Sequence, residues 1–259
     1  MPATQGAFVW YEMMAADAAA AADFYADAVG WTARAAEGAP MPYILFAAPD
    51  GQDAAGCMAL PAAAREAGAH PFWLGYVAVD DVDASVAKAL QLGGSVYAPA
   101  DDIPGVGRFA MLGDPQGAAI GIFKFTAPGM GDAAGMAPGH GGWRELYAAD
   151  APVVFDFYAQ LFGWTKGEAM PMGEMGVYQI ILHGGQMLGG MMTKPKEMPR
   201  PAWGYYFVVD GIDEAVARVT KRGAQIINGP MEVPGGGWII QGIDPHGAMF
   251  ALTGPKSRG

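Results

Sequence analysis

Residues 8–14 (FVWYEMM) place large side chains at alternating positions, the period-two pattern of a strand. Asp17 follows as a helix N-cap ahead of an Ala-rich run over 18–28, and Gly30 stops it. Short apolar runs near 31–36, 43–48 and 55–60 predict three more strands, and 61–70 reads as a connection. The order then recurs. A strand at 72–79 leads to Asp80 and a helix near 82–92, stopped by Gly93-Gly94, with strands near 95–98, 107–112 and 118–124. The same order runs again from Trp143 to Thr253. The unit is strand–helix–strand–strand–strand, four times over.

The second half also repeats the first in its letters. Trp10, Glu12, Asp17, Phe24, Tyr25, Gly30 and Trp31 recur as Trp143, Glu145, Asp150, Phe157, Tyr158, Gly163 and Trp164, at a constant offset of 133. VDDVDASVAKALQLGGSVY from Val79 is answered by VDGIDEAVARVTKRGAQII from Val209. Identity held in register over such lengths indicates a duplication. Two domains are expected, 1–125 and 141–259, each of about 120 residues and large enough for its own core. The Gly- and Pro-rich segment 126–140 is expected to link them.

Composition narrows the function classes. The net charge of −11 leaves no basic patch for nucleic acid or an anionic membrane. No run of 18 apolar residues and no basic-then-apolar leader is present, so a cytoplasmic protein is expected. The single Cys57 excludes an internal disulfide and fits a reducing compartment. Four scattered histidines, His70, His140, His183 and His246, read as loop or surface residues.

The spacing D-x6-FY-x4-GW at Asp17–Trp31 and Asp150–Trp164, the V-D-x-[VI]-D-x-[AS]-V-A opening of the second helix in each half, and the closing turns G-D-P-Q-G (Gly113–Gly117) and I-D-P-H-G (Ile243–Gly247) resemble the vicinal-oxygen-chelate superfamily of glyoxalases, bleomycin-resistance proteins and extradiol dioxygenases. The resemblance covers nearly the whole chain. It implies an α+β fold in which four βαβββ modules form two tandem half-barrel domains. It fixes no function, because that superfamily holds lyases, isomerases, oxygenases and binders alike.

The resemblance also implies where a divalent ion would be held. His or Gln stands on the first strand, seven residues before the helix-opening Asp, and His stands likewise on the fifth. Glu or another donor stands on the fourth strand and Glu on the eighth, four residues after the Gly of D-P-x-G. Counted from Asp17, Asp150, Asp80 and Asp210, the first- and fifth-strand positions hold Trp10, Trp143, Trp73 and Trp203. The eighth-strand positions hold Gly121 and Ala251, and the fourth-strand neighbourhoods are Gly56-Cys57-Met58 and Gly190-Met191-Met192. Indole offers one N–H and no lone pair to a metal. No metal and no cofactor is therefore expected.

Side chains two apart on a strand share a face. Trp10, Glu12 and Met14 then line one pocket with Trp73, Gly75 and Gly121. Trp143, Glu145 and Tyr147 line the other with Trp203, Tyr205, Phe207 and Ala251. Aromatic walls around one carboxylate suit a flat or cationic small molecule. Two other readings stand beside this one. The chain is an enzyme of the superfamily, a lyase, isomerase or dioxygenase with an atypical metal site or an acid–base Glu. Or the indoles plug the pockets, and the chain is a non-catalytic scaffold. A monomer with an internal pseudo-dimer is expected, a homodimer being the alternative.

Overall fold

The computed structural model describes residues 5–66, 68–126 and 135–257. The βαβββ order is present in all four modules. β1 (Phe8–Ala15), α1 (Ala18–Tyr25), β2 (Thr32–Ala35), β3 (Tyr43–Ala47) and β4 (Asp53–Ala59) form the first. A short helix α2 (Ala62–Glu66) lies in the connection to β5 (Phe72–Ala78), α3 (Val82–Gln91), β6 (Ser95–Ile103), β7 (Gly107–Gly113) and β8 (Ala119–Phe125). The second half has β9 (Gly141–Ala148), α4 (Ala151–Phe162), β10 (Thr165–Pro171), β11 (Val177–His183) and β12 (Gln186–Thr193). It closes with β13 (Ala202–Val208), α5 (Ile212–Lys221), β14 (Gln225–Glu232), β15 (Trp238–Ile243) and β16 (Met249–Gly254). Of the expected linker, residues 127–134 lie outside the described residues.

The strands make two eight-stranded mixed sheets, ordered β2-β3-β4-β1-β5-β8-β7-β6 and β10-β11-β12-β9-β13-β16-β15-β14. Within each module three strands run as an antiparallel meander, and its last strand pairs in parallel with its first. The architecture is the α+β arrangement that the resemblance implied.

Three helices begin where an Asp side chain caps them. Asp17 accepts from Ala20 N at 3.0 Å, Asp81 from Ala84 N at 2.9 Å and Asp150 from Val153 N at 3.2 Å. The cap of α3 is thus Asp81, not Asp80, and that of α5 is Gly211, not Asp210. This one-residue correction matters because a slip of one along a strand exchanges its two faces.

Compactness groups the modules across the halves of the chain. The first unit comprises Met1–Val9, Leu74–Ala133 and Trp143–Gly204. The second comprises Trp10–Trp73, Ala134–Gly142 and Tyr205–Gly259. Each has the same internal ties. In the first unit the Tyr158 hydroxyl, on α4, donates to Asp114 Oδ2 at 2.8 Å. In the second the Tyr25 hydroxyl, on α1, donates to Asp244 Oδ2 at 2.9 Å. The other oxygen of each carboxylate closes its own D-P-x-G turn, Asp114 Oδ1 accepting from Gln116 N and Ala118 N, and Asp244 Oδ1 from His246 N and Ala248 N. The FY and D-P-x-G motifs are therefore one device, joining a helix from one half of the chain to a turn from the other. Burial raises the pKa of Asp114, against the lowering effect of its hydrogen bonds.

The tryptophans of the two G-W pairs make the second tie. In the second unit Trp31 Nε1 donates to Gly139 O at 2.7 Å, and in the first Trp164 Nε1 donates to Gly6 O at 2.8 Å. Gly6 and Gly139 both have positive φ, 94° and 86°. A Cβ at Gly139 would strike Pro49 and Ala48, so both backbone and space require glycine there. His140, next in the chain, lies in the bend before β9; it is a loop residue but a buried one, and it contacts Asp50 Oδ2 at 3.1 Å.

Candidate functional site

β1 carries Trp10, Glu12 and Met14 on one face, and its parallel partner β4 sets Gly56 beside Glu12 and Met58 beside Met14. β3 adds Tyr43, registered on Met58, and Leu45, registered on Gly56. These side chains meet in a short relay. The Tyr43 hydroxyl donates to Glu12 Oε1 at 2.9 Å and accepts from Trp10 Nε1 at 2.9 Å. Glu12 is buried, while Trp10, Tyr43, Leu45 and Met58 are half-buried. The phenol is held well above its usual pKa, first by burial and then by the Glu12 charge, so it is a proton donor to the carboxylate. A Cβ on Gly56 would collide with the Tyr43 ring and hydroxyl. Glycine in mid-strand is what admits the tyrosine.

The first unit holds the counterpart. Trp143 Nε1 donates to the Tyr178 hydroxyl at 2.8 Å, and Tyr178 hydrogen bonds to buried Glu145. Gly190 is registered on Glu145, and a Cβ there would collide with the Tyr178 ring. Tyr147 adds a difference: its hydroxyl also donates to Glu145, at Oε2, where the first copy has Met14. Arg108 is engaged by Asp83 and Asp102.

The fifth-strand tryptophans lie elsewhere. Trp73 packs against Tyr25 (ring centroids 4.9 Å), Trp31 (6.0 Å), Phe46 (6.5 Å) and Phe207 (4.7 Å). Phe46 and Tyr43 are three apart on β3 and so face opposite ways. Trp73 therefore lies on the face away from Trp10 and Glu12, among the aromatic rings beneath α1, and Gly75 shares its strand parity. Trp203 sits against Tyr158 of α4, to whose hydroxyl its Nε1 donates at 3.0 Å. Tyr205 and Phe207 pack edge-on to Tyr11 at 5.4 Å each. The cause is the cap register: counted from Asp81 and Gly211, the position seven residues back holds Leu74 or Gly204.

The residues that share a face with Gly121 and Ala251 are tyrosines. Tyr76 is registered on Gly121, where a Cβ would collide with its ring, and it packs with Phe109 and Phe123. Tyr206 is registered on Ala251 and its hydroxyl accepts from Gln241 Nε2, while Gln241 accepts from Asn228 Nδ2. Tyr43, Tyr178, Tyr76 and Tyr206 are not among the residues expected from the sequence. For the first three the signal is a glycine inside the facing strand, at 56, 190 and 121; Tyr206 faces Ala251 and has none.

The donor set does not fit a divalent ion. Trp10, Gly56, Gly121 and their counterparts Trp143, Gly190 and Ala251 present no imidazole or carboxylate. Among the described residues no group of three or more His, Cys, Asp or Glu side chains could hold a metal. Among them, too, no helix is long and apolar enough to cross a membrane.

Comparison with known proteins places this geometry. The sequence profile described as "Glyoxalase/Bleomycin resistance protein/Dioxygenase superfamily" matches residues 7–122 and 140–252. A Mycobacterium tuberculosis protein, provisionally named glyoxylase CFP32, is 32% identical over 255 residues, covering 97% of this chain and 95% of its own. The anthracycline biosynthesis protein DnrV of Streptomyces peucetius is 30% identical over 267 residues, covering 96% and 93%. Two solved structures share the fold. The Mn(II)-bound glyoxalase from Novosphingobium aromaticivorans has a TM-score of 0.64 at 17% identity, covering 98% of this chain and 82% of that one. The 2,2',3-trihydroxybiphenyl 1,2-dioxygenase from Sphingomonas wittichii RW1 has a TM-score of 0.67 at 13% identity, covering 97% and 90%. With both halves matched in register, the chain belongs to the glyoxalase/bleomycin resistance protein/dioxygenase superfamily.

Proposed function

We propose that this protein binds a small, flat organic molecule carrying a basic nitrogen, at the Trp–Tyr–Glu relay and without a divalent ion. The observation that carries the reading is the buried Glu12 carboxylate beneath half-buried Trp10 and Tyr43. An indole beside a carboxylate attracts a cation twice, through the ring face and through the charge. The flat body is supported by the apolar rim of Leu45 and Met58, and by the likeness to an anthracycline biosynthesis protein, since anthracyclines are polycyclic aromatics. The absence of imidazole and carboxylate donors at the positions that hold metal in relatives favours metal-free binding.

One observation favours the scaffold reading instead. The Tyr76 ring takes the space over Gly121, as Tyr43 does over Gly56. In that case the aromatic rings are filling and no ligand enters. A thermal-shift screen separates the two. Flat aromatic amines are expected to raise the melting temperature in proportion to RT ln(1 + [L]/Kd), and glutathione thioethers are not. No shift from any amine at saturating concentration contradicts binding and supports the scaffold. The reading carries with it a monomeric chain in the cytoplasm with no nucleic-acid or membrane partner, in keeping with the net charge of −11 and the single buried Cys57.

A further inference from the structure

Each unit packs two helices side by side, α3 with α4 in the first and α5 with the end of α1 in the second. The second pair is bridged by an arginine. Arg222, at the C-cap of α5, donates from Nη1 to Asp23 Oδ2 at 2.8 Å and from Nε to Asp27 Oδ2 at 2.6 Å. Asp23 is on α1 and Asp27 in the helical turn Ala26–Gly30 that prolongs it, so the two carboxylates, four residues apart, share a face. The duplication carries these positions to the first unit. At the offset of 133, Asp23 and Asp27 become Asp156 and Gln160 on α4. At the offset of 130 that relates Val79 to Val209, Arg222 becomes Leu92, which is the C-cap of α3.

The bridge is therefore missing from the first unit, and a cleft of about 310 Å³ lies there. Leu92, Pro115, Val153 and Phe157 line it with apolar surface, together with Asp156 and Gln160. Asp156 is the one charged side chain in the wall, and among the described residues no hydrogen bond or ion pair engages its carboxylate or the Gln160 amide. Val153 is 67% exposed although it is aliphatic.

We infer that this cleft is a docking seat for an arginine side chain of a partner protein. The second unit shows the chemistry of the occupant, because one guanidinium holds the same two helix positions there. In the first unit Asp156 supplies the charge and the Gln160 carbonyl oxygen a second acceptor, while Leu92 and Val153 offer a surface to the hydrocarbon stem. The planar fork of arginine reaches both acceptors at once, and the compact ammonium of lysine does not match that geometry. An exposed ion pair alone contributes little, so the paired acceptors and the stem contact carry the selectivity. A polypeptide bearing the arginine also covers Val153, which a free cation leaves wet. The seat shares no residue with the Trp–Tyr–Glu relay and stands or falls independently of it.

Nuclear magnetic resonance of the full, isotope-labelled chain titrated with Nα-acetyl-arginine methylamide tests this. Saturable shifts at the Val153, Asp156 and Gln160 amides are expected, with the acetyl-lysine counterpart weaker by about fivefold or more. Asp156→Asn is expected to weaken the arginine probe by about fivefold or more. Leu92→Arg places the chain's own guanidinium in the seat, as Arg222 does in the other unit, and is expected to abolish binding. No saturable shift in the wild type, an equal response to the lysine probe, or undiminished binding by Asp156→Asn or by a folded Leu92→Arg chain overturns the inference. If Leu92→Arg does not fold, as judged by its melting curve, Asp156→Asn decides alone. Propylguanidinium, which has the head and stem without peptide groups, is expected to bind no more tightly than the arginine probe; tighter binding assigns the cleft to a free small cation and overturns the docking role.

Discussion

Replacing Tyr158 with Phe removes one oxygen from the meeting point of three groups. That oxygen donates to Asp114 Oδ2 at 2.8 Å and accepts from Trp203 Nε1 at 3.0 Å. Both partners are buried, so neither regains water when the hydroxyl is lost. A hydrogen bond to a charged group contributes about 1.5–3 kcal/mol, and an orphaned buried indole adds about 1 kcal/mol, so a loss of about 3 kcal/mol is expected. Tyr25→Phe is the internal control. Its hydroxyl donates to Asp244 Oδ2 at 2.9 Å and stands beside the Trp73 indole, so the carboxylate is orphaned in the same way. That variant should lose about 2 kcal/mol. Urea unfolding followed by far-UV circular dichroism measures both. Either loss below about 0.5 kcal/mol would refute the reasoning. pH supplies a second check. Burial holds the Asp114 pKa above its unfolded value of about 3.9, so the folded state binds a proton more readily than the unfolded state. Stability from this group therefore falls as pH rises through the window between the two values. Tyr158→Phe takes away a hydrogen bond that lowers this pKa, widening the window upward. Its penalty should be smallest in acid and grow toward neutral pH; the opposite trend would contradict the assignment.

Three further outcomes follow from the same packing. Trp73→Ala empties the aromatic cluster beneath α1 and should cost about 3–5 kcal/mol while leaving affinity at the Glu12 relay unchanged; weakened binding by a stable variant would put Trp73 back in the pocket. Gly56→Ala forces the Tyr43 ring away from Glu12, and calorimetry should show a loss of about 1–3 kcal/mol; an unchanged melting temperature would mean the ring is not held there. Cys57, its thiol pushed up to about 12 by burial and then by the neighbouring Glu12, Asp17 and Asp244 charges, should resist Ellman's reagent at pH 8 until the chain is unfolded.

The strand–helix rhythm was legible because each module repeats an apolar helix face and a glycine stop, and three of the four add an Asp cap. The first-strand face was legible too, since Asp17 and Asp150 are true caps and Trp10 and Trp143 stand at a fixed distance from them. The fifth-strand face was not. V-D-D and V-D-G offer two candidate caps each, and choosing Asp80 and Asp210 shifted the register by one and turned Trp73 and Trp203 to the wrong side. The tyrosines of the relay were hidden for another reason. Tyr43 and Tyr178 lie on the meander's middle strand, 31 and 33 residues beyond their glutamates, and the two copies differ in length between those points. Only pairing across strands reveals that Gly56 and Gly190 are the sockets for those rings. The D-P-x-G motifs are legible as closing turns, but their link to the FY tyrosines, 44 and 219 residues away, is invisible to any local pattern.

The most direct test of the central claim is a titration of wild-type protein and Glu12→Gln with 9-aminoacridine in the presence of EDTA, following indole fluorescence. Saturable quenching of the wild type, undiminished by EDTA and weakened about tenfold or more in Glu12→Gln, is the predicted result, since a charge-assisted hydrogen bond contributes about 1.5–3 kcal/mol. Binding that requires an added divalent ion, or equal affinity in the two proteins, would contradict a metal-free site built on Glu12.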